Sequence, residues 1–156
     1  MQKTLIIIKP DAIQRRLIGK IITRFEEKGL EILGLRLMVI SEELARKNYS
    51  VHEGKSFYEK LIKFMTSGPV IVLVLRGKNA IEVARNMMGS TFGHEAVPGT
   101  IRGDFAISNR FNLIHGSDTV ESAEREIELF FGKDNLLEYE RTDLQWIYDM
   151  SGDDII

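Results

Sequence analysis

The stretch Asn112-Leu113-Ile114-His115-Gly116-Ser117-Asp118 joins two patterns of different period, and the rest of the chain is organised around it. The apolar residues before His115 are typical of the end of a strand. Over residues 119–131, apolar side chains recur at i+3 and i+4 spacing, which predicts an amphipathic helix. Asp118, with Glu121 three residues later, resembles a capping box at the start of that helix. We therefore expect His115 where a strand ends and a helix begins, a place that favours anionic groups.

Glu126 lies at the edge of the apolar stripe of this predicted helix. From there its carboxylate could reach back and orient the imidazole of His115. A nucleophile or base held by a carboxylate is the arrangement expected of a working histidine. A lone histidine in a loop is more often a surface or structural residue, so the residue pattern alone leaves both interpretations open.

Short apolar runs predict the remaining strands at residues 5–8, 31–40 and 70–75, and residues 112–114 form the fourth. Helical spacing predicts helices that begin near Leu17, Ser41, Phe57 and Asn79, the last with a capping box to Glu82. Pro10 ends the first strand, and Asp11 follows in a turn. Residues 89–104 show no periodicity and are expected to form a functional loop.

The predicted order of elements is β-α-β-(αα)-β-α-β-α, which indicates the α+β class. It fits a ferredoxin-like βαββαβ sandwich, with a four-stranded antiparallel sheet, helices on one face and an added C-terminal helix or tail. At 156 residues, the chain is expected to form a single domain, residues 1–156.

Composition excludes several classes of function. The formal net charge of −2 gives no reason to expect nucleic acid or an anionic membrane as the main partner. The absence of cysteine excludes disulfides and thiolate catalysis and is compatible with a reducing compartment. The N-terminal apolar run is too short to span a membrane. We expect a cytoplasmic protein.

The familiar glycine-rich phosphate motifs are absent, because Tyr49 stands where a P-loop ending in Gly54-Lys55-Ser56 would need its first glycine. Phosphate binding would therefore depend on side chains. Lys9, Arg85 and Arg102 each lie next to a predicted loop or turn, and arginine forks match phosphate oxygens. Thr91 and Asn112 could add neutral donors. Each cation alone is more often a surface charge, and only their combination favours phosphate chemistry.

Aromatic and histidine side chains outside the central stretch are less informative. Phe57 has helical spacing to Leu61, which is typical of a core residue but also compatible with a plate on which a base stacks. His52 and His94 have no partners at metal-ligand spacing, so we predict no metal site built from protein ligands. We interpret His52 as a plain surface residue.

The chain resembles the nucleoside diphosphate kinase family over essentially its whole length. The resemblance is carried by Lys9-Pro10-Asp11, Gln14-Arg15, Gly68-Pro69-Val70, Pro98-Gly99-Thr100-Ile101-Arg102-Gly103-Asp104-Phe105, Asn112-x-x-His115-Gly116-Ser117-Asp118, Val120-Glu121-Ser122-Ala123-Glu124 and Trp146-Ile147-Tyr148. It implies a ferredoxin-like fold and transfer of the γ-phosphate of a nucleoside triphosphate, typically ATP, to a nucleoside diphosphate. The implied route is ping-pong, through a phosphohistidine.

The resemblance also implies individual roles. His115 matches the phosphorylated histidine and Glu126 the carboxylate that orients it, while Ser117 matches a serine close to that histidine. Positions that contact phosphates, ribose or the transferring group are matched by Lys9, Tyr49, Arg85, Thr91, Arg102 and Asn112. Phe57 matches the aromatic under the base, with Leu61 beside it. The implied cofactor is Mg²⁺, with Asp118 near its water ligands, and the implied assembly is a homo-oligomer, with a hexamer favoured over a tetramer or dimer.

Two departures from the family pattern affect loops and not the matched site positions. Phe92-Gly93-His94-Glu95 follows Thr91 where the family often has Asn-Pro, and Arg110-Phe111 replaces a common Gly-Arg pair. They put loop conformation and subunit packing in question. Two alternatives are a ferredoxin-like nucleotide- or nucleic-acid-binding regulatory protein without turnover, and a catalytically dead homologue. The acidic, aromatic tail beyond residue 136 has no predicted function.

Overall fold

The structure, a computed structural model, describes residues 1–132 and 135–152. The strands in this part of the chain are β1 (Gln2–Ile8), β2 (Glu31–Val39), β3 (Pro69–Gly77) and β4 (Ile114–Gly116). The helices are α1 (Pro10–Gln14), α2 (Ile18–Glu27), α3 (Glu42–Asn48), α4 (Tyr58–Met65), α5 (Ala80–Met88), α6 (Ile101–Phe105) and α7 (Val120–Phe131). Short 3₁₀ turns occur at Ser50–His52, Gly93–Glu95 and Leu144–Trp146.

The strands form one antiparallel sheet in the order β2-β3-β1-β4. The central strand β1 pairs along its whole length with residues 71–77 of β3, and Ile6 lies opposite Leu73. Both read as nearly continuous apolar runs because both of their faces are buried. The prediction of a four-stranded antiparallel α+β sheet is confirmed.

Helices cover both faces of the sheet, so the prediction that they lie on one face is wrong. Side chains alternate along β1: Ile6 and Ile8 belong to a core with α2 and α5, whereas Leu5 and Ile7 belong to a second core with α3, α4 and α7. A two-faced apolar strand is the sequence signal for this arrangement. The order of helices and strands along the chain does not by itself reveal which face of the sheet each helix covers.

The segment after α7 packs back along the sheet. The Leu137 N–H donates to the Leu33 carbonyl oxygen of β2 at 2.9 Å, and the Glu138 carboxylate lies between Lys3 and Arg76 at 2.8 and 3.4 Å. The Tyr148 hydroxyl accepts from the Lys78 N–H at 3.3 Å. The C-terminal segment is thus an added tail with one 3₁₀ turn. Its last residues, 153–156, with their acidic and isoleucine pairs, lie outside the described residues.

Several predicted boundaries are corrected by local hydrogen bonding. Asp11 lies in helix α1, with Pro10 at its first turn, and not in a turn. Helix α7 is capped by Thr119, whose hydroxyl accepts from the Ser122 N–H, and not by Asp118. Asn79 precedes α5 in a left-handed conformation without a side-chain cap.

The region predicted as irregular, residues 89–104, contains the start of helix α6. Its cap is Thr100, whose hydroxyl oxygen accepts from the Gly103 N–H at 3.0 Å. Gly103 has no room for a side chain, because a Cβ there would stand 2.0 Å from the Val97 carbonyl oxygen. Close packing, and not helix propensity, therefore defines this five-residue helix.

Candidate active site

His115 is the middle residue of β4 and pairs with Ile7 of β1. Its neighbours Ile114 and Gly116 are buried, and alternation turns the imidazole toward the opposite face, which is covered by α3, α4 and α7. The predicted junction is therefore displaced: the strand includes His115, and α7 begins only at Val120.

A left-handed residue directs the chain into β4. Leu113 is fully buried with φ of +72°, an uncommon conformation for a residue with a Cβ. Both of its backbone groups are held: its N–H donates to the Asp11 carboxylate at 3.1 Å, and its carbonyl accepts from the Lys9 N–H at 2.8 Å. This bend places Asn112 beside the end of β1 while Ile114 enters the sheet.

The imidazole of His115 is held on one side by Glu126. The Nε2 atom lies 3.1 Å from Glu126 Oε1, and the other carboxylate oxygen accepts from the Ser117 hydroxyl at 2.6 Å. A carboxylate can only accept, so Nε2 carries the proton and the Nδ1 lone pair is left available. Burial alone raises the pKa of Glu126, but the hydrogen bonds from His115 and Ser117 outweigh it and hold that pKa below its ordinary value.

Tyr49 stands edge-on to the same imidazole, with ring centroids 5.6 Å apart. The residue is buried, and within the described part of the chain its hydroxyl has no hydrogen-bond partner. Burial, and then the charge of Glu126, raise the pKa of Tyr49, so the phenol stays protonated and can act as a donor.

Lys9, Asn112 and Thr91 form a chain of contacts at the end of β1. Lys9 Nζ donates to Asn112 Oδ1 at 2.6 Å, and Asn112 Nδ2 donates to the Thr91 carbonyl oxygen at 2.9 Å. Burial and the nearby Arg102 lower the pKa of Lys9 from 10.5 to about 7. The ammonium is thus placed where an additional negative charge would favour its protonated form.

Arg102 is buried and bonded to backbone. Its guanidinium donates to the carbonyls of Asn112, Gly89 and Ile114 at 3.1, 3.0 and 2.7 Å. Arg85, on α5, reaches the Gly116 carbonyl at 3.4 Å, directly next to His115. Burial and then Arg85 lower the pKa of Arg102 to about 10. The two arginines are therefore close enough to influence each other.

The aromatic side of the site lies at the start of α4. Phe57 precedes this helix and is about half exposed, and Leu61 follows one turn later, half-buried. The His52 ring lies 5.4 Å from Phe57 and 6.4 Å from Tyr49, and the Lys55 ammonium is 3.2 Å from His52 Nδ1. An exposed aromatic face beside two basic groups is suited to a base joined to phosphates.

The interpretation of His52 as plain surface is wrong. Burial, followed by the charges of Lys55 and His115, lowers the pKa of His52, so the ring shares the electrostatic environment of the site. The sequence signal was its spacing: His52 follows Tyr49 by three residues, within the same turn, and precedes Phe57 by five.

The structure offers little direct coordination for a metal. Within the described ranges, no group of three or more His, Cys, Asp or Glu side chains could hold an ion. Asp118 provides one carboxylate, and its pKa is lowered by the Ser122 hydroxyl and by the charges of Arg85 and His115. This donor set fits Mg²⁺, which keeps most of its waters and is usually bound by substrate phosphates and one or two carboxylates.

Comparison with known proteins agrees with this geometry. Residues 2–136 match the sequence model of the family described as nucleoside diphosphate kinase. The chain is 55% identical over 149 residues to the nucleoside diphosphate kinase of Roseiflexus sp. (strain RS-1), covering 96% of this chain and all of that protein. It is 49% identical over 148 residues to the Bacillus cereus (strain ATCC 14579) enzyme, covering 95% and 100%.

The chain belongs to the nucleoside diphosphate kinase family. Among solved structures, the halophilic nucleoside diphosphate kinase from Halobacterium salinarum in complex with CDP matches with a TM-score of 0.92 and 46% identity, over 95% of this chain and 99% of that chain. The enzyme from Encephalitozoon cuniculi matches with the same TM-score and 43% identity, over 95% and 100%. As a nucleoside diphosphate kinase, the protein is a phosphotransferase that acts on nucleotides, and a binding protein without turnover is not favoured.

Proposed function

We propose that His115 carries the phosphoryl group between two nucleotides. The main support for this proposal is the 3.1 Å contact between His115 Nε2 and Glu126. Because Nε2 is engaged in this contact, Nδ1 has the free lone pair and is the nucleophile. In the first half-reaction, the Nδ1 lone pair forms a bond to the γ-phosphorus of ATP or another nucleoside triphosphate. The bond to the bridging oxygen breaks, and the nucleoside diphosphate leaves with that electron pair. A second diphosphate then takes the phosphoryl group in the reverse sense.

Charge stabilisation during the transfer comes from side chains that surround β4. Lys9, Arg85 and the Tyr49 hydroxyl donate toward phosphate oxygens, and Arg102 holds the backbone of β4 in place. The imidazolium that develops on phosphorylation is stabilised by Glu126. Mg²⁺, when bound, would neutralise phosphate charge, with Asp118 as the carboxylate that holds it through water.

Nucleotide recognition in this proposal uses contacts common to all nucleosides. The base stacks on Phe57 beside Leu61, the ribose hydroxyls meet Lys9 and Asn112, and Thr91 adds a neutral donor. A stacking surface accepts every base, so the substrates are nucleoside di- and triphosphates in general.

A single-turnover labelling experiment tests the proposal. The protein is mixed with Mg²⁺ and ATP labelled in the γ-phosphate, separated from nucleotide, and chased with GDP. We expect acid-labile, alkali-stable label that leaves as GTP and is absent in His115→Ala. His94→Ala is the matched control, because His94 is exposed in the 3₁₀ turn Gly93–Glu95, and it should keep the label. Wild-type protein that binds nucleotide without label would exclude the phosphohistidine.

We also infer a homo-oligomer from the partly open edge of the sheet, and the resemblance to the family favours a hexamer. Leu35 and Leu37 of β2 are 52% and 63% exposed, although their cross-strand partners Leu73 and Ile71 on β3 are buried. The helices on this face cover β2 near Ile32 but leave Leu35 and Leu37 open. Within the described residues the tail bonds to β2 at Leu33, and no strand pairs with the outer edge of β2. A second copy applied through a two-fold axis would cover both features. Light scattering should give the wild-type protein a molar mass that is a multiple of 17.8 kDa. The Leu37→Glu variant should have a lower molar mass.

We take residues 1–156 as one catalytic domain that acts in the cytoplasm. In the described ranges, no helix is long and apolar enough to cross a membrane.

A further inference from the structure

Asp11 carries a partly buried carboxylate that the proposed reaction does not use. It lies in the first turn of α1, and its Oδ2 atom accepts from the Leu113 N–H at 3.1 Å, 102 residues further along the chain. Among the described residues, the other carboxylate oxygen is buried without a hydrogen-bond partner. Burial raises the pKa of Asp11, and the charge of Lys9 and the hydrogen bond from Leu113 offset this effect only in part. A charged group is costly in such a place, so its contact with Leu113 requires an explanation.

Leu113 has a backbone conformation that is unfavourable for its residue type. Its side chain is fully buried in the core that includes Ile6 and Ile8 of β1, and its φ is +72°. A positive φ costs free energy in a residue with a Cβ, and it persists where the surrounding structure holds it. The hydrogen bond from the Leu113 N–H to Asp11 is one of the contacts that stabilise this conformation.

The bend at Leu113 decides where the preceding residue, Asn112, lies. Asn112 is buried, and its Oδ1 accepts from Lys9 Nζ at 2.6 Å while its Nδ2 donates to the Thr91 carbonyl oxygen at 2.9 Å. The carbonyl oxygen of Asn112 accepts from Arg102 Nε at 3.1 Å. Because Asn112 and Leu113 are consecutive, a rotation of the backbone at Leu113 would disturb these contacts.

The segment Lys9-Pro10-Asp11 holds Asn112 and Leu113 by three hydrogen bonds. Lys9 supplies two of them, from its N–H to the Leu113 carbonyl oxygen at 2.8 Å and from its ammonium to Asn112. Asp11 supplies the third, to the Leu113 N–H. Pro10 lies between the two partners at the start of α1, where its ring fixes φ. Asp11 is thus connected to the Lys9–Asn112 contact through a single strained residue.

We propose that Asp11 is a positioning residue, whose carboxylate holds Leu113 in the left-handed conformation. In that conformation, Asn112 meets Lys9 in the arrangement that binds the ribose of the nucleotide. The inference rests on the proposed function, which places the ribose hydroxyls against Lys9 and Asn112. Asp11 itself contacts no nucleotide group.

A double-mutant cycle in nucleotide affinity tests this role. Calorimetric titration with ADP is carried out on the wild type, Asp11→Ala, Asn112→Ala and the double variant. Without Asp11, binding has to restore the left-handed conformation, so Asp11→Ala should bind ADP about five- to 30-fold more weakly. Both substitutions remove the contact of Asn112 with Lys9, so the double variant should bind no more than about twofold more weakly than Asn112→Ala. Effects that multiply, or wild-type affinity in Asp11→Ala, would overturn the proposal.

Asp11→Asn separates the hydrogen bond from the charge. It lacks the charge, as Asp11→Ala does, but keeps an oxygen that can accept from the Leu113 N–H, so it should bind ADP at least about threefold more tightly than Asp11→Ala. Equal affinity in these two variants would contradict the proposal. If Asp11→Ala does not fold, Asp11→Asn is compared with the wild type, and a loss of affinity above about tenfold would contradict it as well.

Gln2→Ala is the matched control. Gln2 is the first residue of β1, and its side-chain oxygen accepts from the Ile81 N–H at 2.9 Å, at the far end of the strand from Lys9. This variant loses a comparable hydrogen bond and should keep the ADP affinity, and thermal denaturation checks that each variant is folded. If wild-type protein takes up no label from ATP, the proposed function fails. If it does and Asp11→Ala binds ADP as the wild type does, only this inference fails.

Discussion

Replacing Glu126 with glutamine tests the central contact of the site. The substitution keeps the shape of the side chain but removes the negative charge beside His115 Nε2. It also allows the amide nitrogen to donate to Nε2, which would move the imidazole proton to Nδ1 and block the nucleophile. Ser117 can still donate to the remaining oxygen, so most local packing is retained.

The expected magnitude follows from the type of hydrogen bond. A hydrogen bond to a charged group contributes about 1.5–3 kcal/mol. Each 1.36 kcal/mol of transition-state stabilisation is a factor of about ten in rate. Loss of the carboxylate charge should therefore slow phosphorylation of His115 about 10- to 150-fold. Binding of ADP should change by less than about twofold, because Glu126 contacts the imidazole and no nucleotide group in the proposed complex.

Rapid-quench measurement of His115 labelling gives the rate, and calorimetric titration with ADP gives the affinity. Glu124→Gln is the matched control, because Glu124 is on the same helix but exposed, and it should behave as the wild type. Our reasoning would be refuted if Glu126→Gln phosphorylated at the wild-type rate. It would also be refuted if ADP binding fell while the rate stayed the same, since Glu126 would then act on the nucleotide.

Two further predictions concern the buried polar groups. Ser117→Ala removes the acceptor for the Leu5 N–H and the donor to Glu126, both buried, so urea denaturation should show a loss of about 1–3 kcal/mol; unchanged stability would contradict these bonds. The second prediction concerns Lys9, whose pKa is lowered to about 7 by burial and by Arg102. Between pH 7 and 10.5, the Lys9 side chain is therefore protonated in the unfolded chain but largely neutral in the folded chain. Because the unfolded state binds more protons in this range, this group makes the free energy of unfolding rise with pH. Urea denaturation of Lys9→Met should show a rise in the free energy of unfolding from pH 7 to 9 that is about 2 kcal/mol smaller than that of the wild type. An equal rise in the two proteins would refute this prediction.

The central strands were predictable because their residues are buried on both faces and read as apolar runs. Residues 70–75 of β3 form an unbroken apolar run, which indicated a buried strand. The start of α3 near Ser41 was also predicted, and the structure adds that the Ser41 hydroxyl caps it by accepting from the Leu44 N–H. Helix α6 was not, because five residues with an internal glycine have little helical preference. It is held by Arg102, whose three carbonyl partners come from the loop before it and from the chain entering β4.

The position of His115 within β4 depends on a long-range pairing. The strand is three residues long, and its register is set by β1, more than a hundred residues earlier. The local sequence pattern therefore predicted that His115 lies near the end of a strand, but not that it is the middle residue of β4. The roles implied by resemblance fall on residues that the structure brings together around β4. His52, interpreted as surface, shares that environment because a short 3₁₀ turn brings it against Phe57.

Burial of the cationic side chains Lys9 and Arg102 in the site costs free energy. Burial and then the charge of Arg102 lower the pKa of Lys9, and burial and then the charge of Arg85 lower the pKa of Arg102. The Asp11 carboxylate offsets only part of this effect on the pKa of Lys9, and Glu126 is bonded to His115 and Ser117. The fold therefore maintains positive charge in a poorly solvated place. In the proposed reaction, a bound polyphosphate chain would reduce that cost, and the donors would need little rearrangement as charge moves from the nucleotide to His115.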